Sequence, residues 1–410
     1  MRLLLVILCI SGLALFSCDN EDNVVRRFEN YFIKYYGEEG NQYGYDVQKL
    51  NSGFIILGHS TSLEMGRQIL VVKVDELGNM QWHRQFGGAG EDTPAALRVD
   101  AAGNFIIAST IEVAPGDQDI MILKIDSNGV KLDSAIFGYP GKLEVARNIT
   151  ITAEGDFIVT GSTTNVDTSK PGFLASTDLE DIYSIRTNSD LVQYSPADWR
   201  RVYGFPGIDR GVEVKQKNDG SFLFFGTTNK PPTSNSQQAG FNMFLFPAGT
   251  DGIASSASQL QLFGTLSNEE AQAIIRTSEG GFTMLGTSTG QGLNAPFLAR
   301  VRSNNDFVSS GTIPVERNVV ANSIVEASTG GFIVLGEEIG NGTDTNIYLT
   351  RVAANGSVVW SQSFGGLEID SPGRVLELED GSIVFVGTVT LDSQAKICLI
   401  KTNPIGELKP

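Results

Sequence analysis

Seven short runs recur along the chain: "GFIILGHS" (53–60), "NFIIAST" (104–110), "DFIVTGS" (156–162), "SFLFFGT" (221–227), "GFTMLGT" (281–287), "GFIVLGE" (331–337) and "SIVFVGT" (382–388). Six carry a glycine at the same place: Gly58, Gly161, Gly226, Gly286, Gly336 and Gly387, with Ala108 in the second copy. Each run is apolar and rich in β-branched and aromatic residues. Each follows a turn such as Asn51-Ser52-Gly53, Asn218-Asp219-Gly220 or Glu379-Asp380-Gly381, whose residues tolerate positive φ between two strands.

Working outward, the stretch before each turn alternates, as in "YDVQKLN", "GVEVKQK" and "GRVLELE". After each central run comes a variable loop and then a third apolar strand: "ILVVKVD" (69–75), "IMILKID" (120–126), "GFLASTD" (172–178), "NMFLFPA" (242–248), "PFLARVR" (296–302), "IYLTRVA" (347–353) and "ICLIKTN" (397–403). A fourth strand closes most units on an aromatic-glycine pair, as in "QWHRQFG" (81–87) and "VWSQSFG" (359–365); the fifth unit departs, ending Thr312-Ile313-Pro314. Four short antiparallel strands per unit, repeated seven times, predict an all-β, seven-bladed β-propeller. About 55 residues per unit is too few for a string of separate two-sheet sandwiches.

The ends of the repeat complement each other. Residues 30–37, "NYFIKYYG", read as a fourth strand with no preceding three, and the last unit stops after its third strand at 397–403. The N-terminal strand is therefore expected to complete the last blade and close the ring, leaving only short, protected edges. The propeller domain is expected to span 29–410.

Composition agrees with one large β domain. The 410 residues include 46 Gly and 14 Pro, with 41 % hydrophobic and 19 % charged residues. The net charge of −17 argues against a nucleic-acid partner, which needs clustered Lys and Arg. Three Cys exclude a disulfide framework and a Cys-rich zinc site. Cys398, flanked by Ile397, Leu399 and Ile400, reads as a buried, inert thiol.

The aromatic residues of the outer strands, among them Trp82, Trp199, Trp360, Phe86 and Phe364, recur unit after unit. Such recurrence fits packing between blades, since a single ligand site does not need seven copies. The two histidines, His59 and His83, both fall in the first blade and match no catalytic or multi-His metal spacing. No G-x-S-x-G, H-E-x-x-H or P-loop occurs. No cofactor and no metal is expected.

Candidate binding residues lie in the connections from each outer strand to the next inner strand. These loops share one propeller face with the loops between second and third strands, around the channel mouth. They hold Glu39, Asp92, Glu144, Asp209, Glu270 and Asp370, with Arg210 and Arg317 among the few bases. One reading is a ring of carboxylates for a cationic or sugar ligand, or for calcium, although no EF-hand-like run is present. The other is that these acids accept hydrogen bonds from turn amides, which their recurrence favours. The segment 179–197, read as an insertion between the third and fourth strands of blade three and carrying Tyr183 and Tyr194, reads equally as a partner contact or as a decorative excursion.

The N-terminus gives an address. Met1-Arg2 precedes an apolar run from Leu3 to Phe16, too short to span a bilayer and of signal-peptide length. It ends Leu15-Phe16-Ser17-Cys18, which resembles the bacterial lipobox and implies a signal peptide over 1–17 and lipidation at Cys18. The acidic stretch within 18–28 resembles the tethers of surface lipoproteins of the Bacteroidota. Acyl chains on Cys18 would hold the protein to an outer membrane without a transmembrane helix. "KVDELGNMQW" (73–82), echoed by "RVAANGSVVW" (351–360), looks like the repeat of bacterial secreted propellers, including quinoprotein-like ones. Those bind a quinone with calcium, often beside a vicinal disulfide. This chain has no adjacent cysteines, so the resemblance implies the fold and not the cofactor. A lipid-anchored propeller is also similar in plan to the scaffold lipoprotein of the outer-membrane barrel-assembly machinery. The expected function is a non-enzymatic envelope lipoprotein that binds a protein or glycan partner. The alternative is a carbohydrate-active enzyme using two carboxylates at the propeller mouth.

Overall fold

The computed structural model describes residues 30–409, apart from 63–64, 89, 166–179, 194–198, 206, 230–239, 255–258, 291 and 341–343. The signal peptide, Cys18, the acidic tether and Tyr194 lie outside the described residues, as do most of the longest loops.

The strands form seven antiparallel sheets, one per blade. Blade one runs Asn41–Leu50, Gly53–Ser62, Gly66–Val74 and Met80–Phe86 from the axis outward. The inner strands of the other blades are Thr93–Val99, Glu144–Ile151, Asp209–Gln216, Asn268–Arg276, Asn318–Glu326 and Ser371–Glu377. The seventh blade takes its outermost strand from the other end of the chain. Phe32–Tyr36 pairs antiparallel with Gln394–Thr402, Phe32 opposite Lys401 and Tyr36 opposite Ile397. The expected ring closure is present.

Burial follows from this wheel. The second and third strands are covered on both sides by neighbouring blades, so both of their faces are apolar. Phe157–Thr163 and Phe222–Thr228 are buried at every residue. The core is divided into seven clusters, one at each junction between blades. Outer-strand aromatics cross these junctions: Trp82 meets Phe105, Trp199 meets Phe222 and Phe364 meets Phe385, with ring centroids 6.3, 5.6 and 5.1 Å apart. Tyr36 joins the cluster between blades seven and one, so the closing strand is packed as well as paired.

Every inner strand carries a β-bulge at the same height. The register slips at Tyr45, Ala95, Arg147, Val212, Gln272 and Asn322, and between Pro372 and Val375 in blade seven. The extra residue lets two consecutive side chains face the channel. It also explains the recurrent glycine of the second strand. A Cβ on Gly161, Gly226 or Gly58 would lie 1.8, 2.0 or 2.3 Å from the carbonyl oxygen of Val145, Arg210 or Tyr43, just above the bulge.

Blade three departs from the expected register. Its third strand is Asp181–Thr187, paired with Phe157–Thr163 on one side and Arg200–Tyr203 on the other, not residues 172–178. The physical reason is filling. "DIYSIRT" supplies bulky residues to both neighbouring junctions, Ile182 to one and Tyr183 and Ile185 to the other, and a doubly covered strand requires this. Tyr183 is accordingly fully buried, not a partner contact. The connection from the second to the third strand of blade three therefore takes up residues 164–180, of which 166–179 lie outside the described residues. Blade five does have a fourth strand, Phe307–Thr312, which pairs with Phe297–Val301.

Candidate functional site

The upper face of the wheel carries the outer-to-inner connections and the loops between second and third strands. Its buried carboxylates share one geometry. Asp92 Oδ2 accepts from the Gly88 amide at 2.7 Å, Glu144 Oε2 from Tyr139 at 3.0 Å and Asp209 Oδ2 from Phe205 at 2.5 Å. Glu269 Oε2 accepts from Thr265 at 2.8 Å and Asp370 Oδ2 from Gly366 at 2.7 Å. In each case the acid stands at or next to the start of an inner strand and holds an amide four residues earlier, five for Glu144, fixing the passage between blades. Burial raises the pKa of Asp92, Glu144 and Asp370, while the amides they accept from pull the other way.

The remaining candidates stand apart from these. Glu39 is exposed. Arg317 is exposed and pairs with Glu338 at 2.7 Å. Only Arg210 and Glu270 reach the channel, where both line its main cavity.

That cavity, about 320 Å³, runs along the inner strands from Arg210 and Glu270 near their starts to Lys215 and Ile275 near their ends, and the bulge residues line it. Tyr45, Arg147, Val212, Gln272, Asn322 and Gly373 form a ring at bulge height. A smaller lobe of about 240 Å³ opens between blades one, two and three, lined by Thr93, Ala95, Thr110 and Gln118. Tyr45 and Arg147 line both spaces.

The floor is an ionic lattice that crosses the channel. Asp46 of blade one receives Arg98 of blade two at 3.0 Å and Arg374 of blade seven at 2.6 Å. Arg98 also donates to Asn148 of blade three at 2.5 Å. Glu213 of blade four pairs with Lys215 at 2.6 Å. Burial alone would raise the Glu213 carboxyl, but Lys215, Arg98 and Arg374 outweigh it and hold its pKa below the usual range. Burial lowers the pKa of Lys215 and Arg98, partly offset by these acids.

The ionic lattice escaped the reading of the sequence because loops drew attention to their acids, while "YDVQKL", "ARNITI", "GVEVKQ" and "GRVLEL" read simply as alternating strands. One signal was available. In a frame where most positions repeat, Asp46, Arg98, Arg147, Glu213 and Arg374 are charges that do not.

The sequence matches no family description and no curated protein. Solved structures do share its architecture. The polysaccharide lyase Uly1 aligns with a TM-score of 0.52 over 90 % of this chain and 91 % of that one, at 8 % identity. A protein of unknown function from Dyadobacter fermentans gives 0.48 over 76 % and 93 %, at 11 % identity. Drosophila Plexin A in complex with Semaphorin 1b gives 0.47 over 89 % and 86 %, at 8 % identity. The likeness is one of fold, and a shared fold does not fix a function.

Proposed function

We propose that this chain is a non-catalytic, lipid-anchored binding module of a bacterial envelope, which takes its ligand at the upper mouth of the channel. The observation that carries this reading is a polar cavity of about 320 Å³ at the axis, lined by the bulge residues and by ion pairs. Its volume falls at the low end of ligand cavities, roughly 300–1,000 Å³. The acids argue for binding over catalysis. Asp46 and Glu213 serve as counter-charges to Arg and Lys, and the upper-face acids hold turn amides. A general acid needs a carboxyl free to carry a proton into a reaction.

The anchor reading rests on the lipobox-like Leu15-Phe16-Ser17-Cys18. Phe32 pairs with Lys401, next to the turn at 403–406, so the chain meets the wheel at its lower rim. A lipid on Cys18 would turn the lower face to the membrane and present the open mouth outward.

The test is a glycan array together with capture from the native membrane, comparing the mature protein with Ala95→Trp, which fills the junction of the two spaces. Retention by the parent chain, lost in the variant and leaving the glycan intact, is the expected result. Retention that survives the filling overturns the channel reading, and a shortened glycan overturns the non-catalytic one.

A further inference from the structure

The charges around the cavity are matched with one exception among the cations. Arg210 Nε pairs with Glu180 at 2.8 Å, Lys215 with Glu213, and Arg98 and Arg374 with Asp46. Among the described residues Arg147 has no ion pair and no hydrogen bond through its side chain. It sits at the bulge, between Ala146, whose amide donates to Thr110 Oγ1 at 2.9 Å, and Asn148, which accepts from Arg98. Its backbone is therefore held, and the residue lines both cavities.

The Arg147 side chain is exposed to the solvent of the channel, so it stands unpaired at little cost and is accessible to a ligand. In a protein of net charge −17 it also stands out as a local positive feature. A guanidinium presents two parallel N–H groups that fit a carboxylate better than a point charge does. The two spaces that Arg147 lines also carry Tyr45, Thr93, Gln118, Gln272 and Asn322, a set of hydroxyls and amides with one aromatic ring. That set suits a sugar, with its many hydroxyls and apolar ring face, better than the apolar side chains of a peptide.

We propose that Arg147 anchors the carboxylate of an acidic saccharide, a hexuronate unit, with neighbouring sugars in the two spaces beside Tyr45. The inference rests on the channel-mouth reading and adds the charge and class of the ligand.

The test uses calorimetric titration of the mature chain with short oligogalacturonates and oligomannuronates, and with their methyl esters as neutral probes. At least one acid is expected to bind, and its ester to bind at least tenfold more weakly. Losing one partner of a desolvated charged pair costs about 2–5 kcal/mol, so Arg147→Gln is expected to weaken the acid by 30-fold or more. Arg147→Lys, which keeps the charge without the fork, should fall between the two. A merely structural arginine would lower the melting temperature when replaced; here Arg147→Gln is expected to melt at or above the parent. Acid and ester bound equally, with Ala95→Trp still abolishing both, would sink the inference and leave the channel reading standing. Binding of either probe that persists in Ala95→Trp would sink the channel reading itself. No binding of any uronate, or binding only of peptides through a terminal carboxylate, also overturns the saccharide assignment.

Discussion

His59 shows how a single side chain can couple this fold to pH. It is 4 % exposed on the second strand of blade one, stacked on Tyr43 at 4.6 Å and tilted against Tyr45 at 5.4 Å. Burial, and secondarily the Arg67 cation, lowers its pKa from 6.5 to about 4. In the unfolded chain the imidazole takes up a proton below its ordinary value, while the folded one stays neutral until about 4. Stability is therefore lost as pH falls through this window and stops falling below it. The full effect is about 3 kcal/mol, at 1.36 kcal/mol per unit. Urea midpoints at neutral pH and at pH about 4.5 should show this loss in the parent chain but not in His59→Phe. Equal slopes in the two proteins would refute it. Cys398 is the static counterpart, its thiol pushed up to about 12 by burial.

At the scale of the strand, the bulge ties sequence pattern to site. It places Tyr45, Arg147, Gln272 and Asn322 in the channel and leaves no room for a Cβ on the facing glycine. Gly226→Ala would bring a methyl within 2.0 Å of the Arg210 carbonyl and 2.7 Å of the Phe244 ring. It should cost about 1–3 kcal/mol or more in a chemical denaturation midpoint, as overpacked cores do. Gly311→Ala, with nothing within 4 Å of the new methyl, should cost little and serves as the control. If both substitutions behave alike, the steric account of the repeat glycine is wrong. The repeat itself was legible because packing between blades imposes one pattern seven times. The bulge was not, since an inserted residue leaves hydrophobic alternation looking like an ordinary strand. Blade three was misread for a related reason: a Phe-Leu-Ala triplet at 173–175 imitates a strand, while Ile182, Tyr183 and Ile185 do the filling. Arg147 was hidden twice, by its place in a strand and by the attention that loop acids attract.

At the scale of the whole wheel, five residues close the ring. Phe32, Ile33 and Tyr36 add apolar surface on either side of the last blade. Burying a large apolar side chain contributes about 1.5–3 kcal/mol, so removing residues 30–36 should cost about 5 kcal/mol. The bared strand Gln394–Thr402 would also become an edge open to pairing with another chain. A lower melting temperature with concentration-dependent association in light scattering is expected. A truncated chain that stays monomeric and melts like the parent would show that the closing strand is dispensable.

The same pairing sets an order of events. Tyr36 meets Ile397 across almost the entire polypeptide, so the contact forms only after the distant segment has been made and delivered. Contacts of such separation fold slowly, because a long loop must be closed before they give any return. On a ribosome, or while being threaded through a secretion pore, this chain lacks the partner that would lock its last sheet. Until that segment arrives, the last sheet stays unlocked and the wheel open.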